Sequence, residues 1–428
     1  MNLPRRKIAD GIYANCLAGE KFKVHSLTLG IELPLNINTV TSANLLSRVL
    51  RRGCEKYPDM KTLERKLDEL YAAELAISVS RSGESQYLCV YTDFLSEQYT
   101  DGCDTVKEMI SILGEVLLSP LVLNGVLKSA YVQSEKKNLS DDIDALINNK
   151  AKYAKSRCTE EMCRGEAYSI PALGDKKILE DISGAELYSF HTDMLKKCRI
   201  EILYTGNSER FDSVCEHLSS VFKPLKREYS EADGTAQCVI KRFAEKAREV
   251  TENMEVNQGK LSIGMRTGIT NTDDDIGALI VANEIFGGSP NSKLFMNVRE
   301  KMSLCYYCSS GIDAVKGLMF INAGIESQNY EIAKKAIFEQ LDAVRNGNFT
   351  DEEFSSAINS LINGYKSVSD SVSSLEAWYL PRIFRGESDT PETRINQITA
   401  VTKEDAARAA GKISADVVYF LRGTSQEA

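Results

Sequence analysis

A chain of 428 residues is too long for one ordinary hydrophobic core, so two to four folding units are expected. With 43% hydrophobic and 26% charged residues, the composition is that of a soluble globular protein. The net charge of −9 argues against general nucleic-acid binding, which needs a basic surface to displace counterions from phosphates.

The basic N-terminus, Met1-Asn-Leu-Pro-Arg-Arg-Lys, is followed by no apolar run, so no secretory signal is expected. Residues 23–33 alternate as a strand with Leu27, Leu29, Ile31 and Leu33 on one face. Helical spacing follows at 41–52 and again around Leu63-Glu-Arg-Lys-Leu-Asp-Glu-Leu. Strands are expected at 75–80 and 87–94. The apolar stretch 109–127 is broken by Gly114, Glu115, Ser119 and Pro120, which makes it a core segment and not a membrane span. Long helical patterns occupy 123–163, and the charged, turn-rich stretch 224–255 is the best linker. Beyond it the order recurs: a strand at 260–265, a helix at 275–286, a turn at Gly287-Gly288, a helix at 292–301, and strands near Tyr306 and at 318–325. A second long helical pattern covers 349–386. Eleven cysteines, odd in number and irregularly spaced, fit reduced thiols in a cytoplasm.

The two parts repeat each other at an offset of roughly 220 residues. Ile182-Ser-Gly-Ala-Glu-Leu and the strand Arg199-Ile-Glu-Ile-Leu-Tyr-Thr-Gly206 correspond to Val401-Thr-Lys-Glu-Asp-Ala and Asp416-Val-Val-Tyr-Phe-Leu-Arg-Gly423. Each reads as a capped helix followed by a β-branched strand ending at glycine. The division is therefore 1–230, a linker at 231–255, and 256–428. The class is α+β, with mainly antiparallel sheets covered by helices.

One segment carries chemistry. Phe286-Gly-Gly-Ser-Pro-Asn-Ser-Lys-Leu-Phe is followed by Val298-Arg-Glu-Lys-Met-Ser-Leu-Cys-Tyr306. It resembles the substrate-holding segment of the pitrilysin/insulinase-type zinc peptidases, in which arginine and tyrosine stand seven residues apart. One departure is Ser303, where the family has glycine. The resemblance covers most of the chain and implies two homologous halves, each of two α/β subdomains, closing like a clamshell over a peptide. It implies that Arg299 and Tyr306 hydrogen-bond the peptide backbone and the oxyanion at a facing zinc site.

The family's inverted motif, His-x-x-Glu-His, is absent, because the only histidines are His25, His191 and His217. The matching stretch is Ala43-Asn-Leu-Leu-Ser-Arg-Val-Leu-Arg-Arg-Gly53, which puts Asn44, Ser47 and Arg48 at the three motif positions. Positions i and i+4 share a helix face, where two imidazoles would grip zinc and the glutamate would activate water. Asparagine is a poor zinc ligand, serine is no base at neutral pH, and arginine is permanently charged. The third ligand, a glutamate, falls near Gln133 to Asp142 with no residue assigned. No metal or other cofactor is expected in this chain.

Other candidates are weaker. Cys305 and Cys308 have redox or half-zinc spacing, but they lie in a strand and not at a helix N-terminus. His25 reads as a core residue, and His191 and His217 have no ligand partner at suitable spacing. Gly287-Gly288 lacks the Gly-Lys-Ser/Thr of a phosphate loop.

The implied function is a non-catalytic, cytoplasmic subunit that completes the zinc site of a related His-x-x-Glu-His partner acting on a peptide or small protein. It resembles the zinc-less members of bacterial pairs, some of them associated with modification of elongation factor P. The alternative is a scaffold or peptide-binding module of the same fold with no part in hydrolysis.

Overall fold

The structure is a computed structural model that describes residues 3–230 and 238–424. Of the expected linker, residues 231–237 lie outside the described residues, while Arg248–Met254 forms a strand. The α+β class and the repeat are both present. In chain order the strands are β1 (Arg5–Ala9), β2 (Ile12–Ala18), β3 (Val24–Pro34), β4 (Glu74–Ser82) and β5 (Ser85–Leu95). A hairpin of β6 (Val122–Leu123) and β7 (Val126–Leu127) precedes β8 (Ile200–Gly206). The second half contributes β9 (Arg248–Met254), β10 (Gly259–Arg266), β11 (Cys305–Asp313), β12 (Leu318–Ile325) and β13 (Ser414–Gly423).

The sheet orders are β1-β2-β8-β3-β5-β4 and β11-β12-β10-β13-β9. Read from the opposite edge, the first sheet is the second with β1 added. In each, one pair is parallel, β2 with β8 and β9 with β13, and the other pairs are antiparallel. The helix–strand units ending at Gly206 and Gly423 are built into these sheets through β8 and β13, so each half has one main sheet.

Two compact units result; one boundary between them, at 237/238, falls inside the expected linker, and each unit also takes a segment from the other half. The first holds residues 1–144, 171–237 and 368–389; the second holds 145–170, 238–367 and 390–428. Helix Lys150–Met162 thus belongs with the second sheet and helix Val372–Arg385 with the first. The exchange explains why β3 is buried on both faces although its sequence alternates. Leu27, Leu29, Ile31 and Leu33 enter the main core, while Ser26, Thr28, Gly30 and Glu32 lie beneath the incoming helix.

Each incoming helix is seated by a glycine and an arginine. A Cβ on Gly30 would stand 2.8 Å from the Phe384 ring, and one on Gly264 would stand 2.6 Å from Met162 Sδ. Arg199 donates to the carbonyl of Phe384 (2.9 Å), and Arg266 donates to that of Met162 (2.8 Å). These bonds satisfy helix-terminal carbonyls that have no partner within the helix. Buried carboxylates hold both arginines. Glu201 takes Arg199 at 2.6 Å and Arg5 at 2.7 Å. Glu166 takes Arg266 at 2.9 Å, Lys316 at 2.7 Å and Lys241 at 3.0 Å. Among the described residues, no helix is long and apolar enough to cross a membrane.

Burial pushes the Glu166 carboxyl up, but hydrogen bonds from Lys316, Arg266 and Lys241 outweigh it and hold it at about 2. A lowered carboxylate pKa contributes stability above the ordinary range, and that contribution is lost as pH falls from the usual 4.5 towards 2. Glu166→Gln is expected to cost about 3–5 kcal/mol, because Lys316 stays buried without its anion and Arg266 keeps only Asp416. Urea denaturation between pH 7 and 3 should show a flatter pH dependence in the variant than in the wild type.

Candidate functional site

Helix Ile37–Arg51 carries the degenerate motif. Asn36 caps it, accepting from Thr39 N while Thr39 returns the bond to the Asn36 backbone N–H. Asn44 and Ser47 are buried, and local acceptors engage both. The Asn44 amide donates to the carbonyls of Val40 (2.9 Å) and Ala172 (3.0 Å). The Ser47 hydroxyl donates to the Asn44 carbonyl at 2.9 Å. Arg48 points outward and pairs with Asp142 at 2.7 Å. One turn on, Arg52 meets the buried Glu135 at 3.1 Å and lies 5.0 Å from the Tyr131 ring centroid. Asn138 donates to the other Glu135 oxygen at 3.0 Å.

Glu135 and Asp142 both lie on helix Ser129–Ala145, in the stretch where a third ligand was expected. Seven residues apart, they share a helix face, as Arg48 and Arg52 do at a spacing of four. Two arginine–carboxylate pairs therefore link the two helices. Zinc does not fit this set: the only anionic oxygens are neutralised by guanidinium groups, and the amide and hydroxyl are committed to carbonyls. Among the described residues, no three His, Cys, Asp or Glu side chains converge on a common point.

The Arg299–Tyr306 segment is shaped by unusual backbone. Glu284–Gly288 and Leu294–Lys301 wind as wide π-helical turns, a geometry that often marks functional sites. Val298 and Leu294 anchor the second turn in the core. Arg299 is partly exposed, with its guanidinium carbon 4.4 Å from the Phe295 ring centroid and an ion pair to adjacent Glu300 at 3.5 Å. Ser303 holds φ +51°, the left-handed region that glycine enters freely and serine enters at a cost of roughly 1 kcal/mol.

Tyr306 lies in β11, the edge of the second sheet, but outside its ladder. Cys305 pairs with Ile325 and Tyr307 with Gly324, which leaves Tyr306 as the extra residue of a β-bulge. The bulge turns its ring outward to 67% exposure. A strand residue in regular register would be half-buried here; the register shift decides otherwise. The shift also puts Cys305 and Cys308 on the same buried face. A hydrogen bond from Cys308, then the charge of Arg299, lowers the Cys305 thiol, so the strand setting does not leave it ordinary. His25 packs edge-on against Phe94 and Tyr204, and His191 bonds the Leu117 carbonyl at 2.8 Å; burial lowers both imidazoles. Sequence reasoning missed Glu135, Asp142 and Arg52, whose sole sequence signal is their helical spacing.

Residues 181–361 match the family described as Peptidase M16 inactive domain. The chain is 33% identical to the probable inactive metalloprotease YmfF of Bacillus subtilis over 420 residues, covering 97% of this chain and 96% of that one. It is 25% identical to the uncharacterized zinc protease YmxG of the same organism, over 78% and 79% of the two chains. A conserved protein from Enterococcus faecalis has a TM-score of 0.92 at 28% identity over 100% of both chains. A Pseudomonas fluorescens structure described as a peptidase M16 inactive domain has a TM-score of 0.78 at 18% identity over 100% of both, a likeness of fold.

The two arginine pairs differ in burial, and their energies should differ accordingly. Arg52→Ala strands the buried Glu135 and is expected to cost about 1–3 kcal/mol, while Arg48→Ala costs less than about 1 kcal/mol. Urea melts of the two variants compare them directly. Metal analysis of the purified chain should find no stoichiometric zinc.

Proposed function

The chain belongs to the pitrilysin-type M16 peptidase family, and on that premise we propose that it is the non-catalytic subunit of a two-chain zinc peptidase. It lends Arg299 and Tyr306 to the zinc site of a related partner carrying His-x-x-Glu-His. The observation that carries this reading is the bulge at Tyr306, which spends a ladder position to hold a phenol in solvent. An aromatic residue kept for packing would remain in register and face the core.

Three further observations support it. Among the described residues, the ion pair of Arg299 is with an exposed neighbouring glutamate, a pairing worth little, so its fork is available for a peptide carbonyl. The motif helix has arginine–carboxylate pairs where a metal centre would need free donors. The Bacillus subtilis relatives include one protein described as a probable inactive metalloprotease and one described as a zinc protease, a pairing of types within one organism.

In this role the guanidinium and phenol donate to the backbone of a bound peptide or small protein and to the charge that develops on its carbonyl oxygen. Both gains are largest in a site emptied of water. The complex is cytoplasmic, and the metal belongs to the partner. In the purified pair, Arg299→Ala should lower kcat by about 10²–10³, the usual effect of losing one oxyanion donor. Tyr306→Phe, which removes a single hydroxyl, should lower it roughly 10- to 100-fold. Gel filtration should show the pair still assembled. Unchanged turnover in both variants would instead make the chain a scaffold.

A further inference from the structure

The face of the first sheet that receives helix Val372–Arg385 is not packed shut. Between that helix and β4–β5 lies a cavity of about 270 Å³, walled by Tyr87, Tyr91, Phe384 and Leu380. Glu376 opens into it from the helix, although its residue is only 5% exposed. Its carboxylate accepts the hydroxyl of Thr28 from the sheet below. Among the described residues, no cation pairs with it. Arg81, the cation in the cavity lining, has its guanidinium on the Pro171 carbonyl at 2.8 Å.

The equivalent layer of the second unit offers a contrast. There the buried Glu166 is met by Arg266, Lys316 and Lys241. Glu376 has two hydroxyls and a mainly apolar cavity instead. Burial accordingly raises its carboxyl, the Ser26 and Thr28 hydroxyls oppose that rise, and the charge of Asp93 adds to it. A carboxylate removed from water without a counter-charge is costly, and a cation delivered into the same space removes that cost.

We propose that this cavity binds a small primary amine with an aromatic or branched aliphatic body, its ammonium on Glu376 and its body among Tyr87, Tyr91 and Phe384. The aromatic faces add cation–π attraction to the ion pair. The volume is at the small end of ligand sites and suits a molecule of roughly ten non-hydrogen atoms. This site is independent of Arg299 and Tyr306, so neither reading depends on the other.

The test uses the full chain with 2-phenylethylamine, and with 2-phenylethanol as its neutral counterpart, read by calorimetric titration and by thermal unfolding. The amine should bind at least tenfold more tightly than the alcohol and raise Tm with concentration. Glu376→Gln should weaken amine binding at least tenfold. Ala377→Leu, which puts a larger side chain in the cavity lining and leaves Glu376 intact, should weaken it as well and guards against a folding defect in the first variant. Absence of amine binding up to millimolar concentration, equal binding of the alcohol, or unchanged binding in Ala377→Leu would overturn the proposal.

Discussion

The rest of the second unit depends on one buried carboxylate. Glu166 comes from the first half of the chain, yet it neutralises Arg266 of the second sheet and Lys316 of the β11–β12 turn, with Lys241 closing the ring. Arg266 in turn caps helix Lys150–Met162 and bonds Asp416 at 2.8 Å. Two cations so deeply buried are costly without such an anion, so the helix that precedes Glu166 cannot leave without great cost. Glu201 and Arg199 do the corresponding work for helix Val372–Arg385. The exchange of helices is therefore a property of buried charge as much as of apolar packing.

With helices on both faces of each sheet, chemistry is left to the edges and to imperfect seams. The edge strand β11 uses a bulge to expose Tyr306, and Arg299 on the π-helical turn before it is partly exposed. On the motif helix two side chains serve carbonyls, and two arginines clasp the helix Ser129–Ala145. Under helix Val372–Arg385, the seam leaves a small aromatic cavity with Glu376 at its wall.

Much of the fold was legible in the chain. Leu27, Leu29, Ile31 and Leu33 gave a strand by alternation, and the expected strand 318–325 has those bounds in the structure. The repeat was legible because capped helix and glycine-terminated strand recur in the same order. The helix exchange was not, since period and propensity are local signals while the partners of residues 145–170 lie about 100 residues further on. The spacing of Arg299 and Tyr306 was visible in the same way. The outward turn of Tyr306 was not, because a bulge is defined by the register of β12 and not by β11 alone.

The sequence by itself determined that no histidine pair stands at the motif positions, that the two halves repeat, and that arginine and tyrosine keep their spacing. Those are facts of residue identity and order. Only the tertiary structure decided that Arg48 and Arg52 find Asp142 and Glu135, that Arg266 and Arg199 bind helices across the sequence division, and that, among the described residues, no cation pairs with Glu376. Such outcomes depend on which charges meet once water is excluded, and no single stretch of sequence contains both partners.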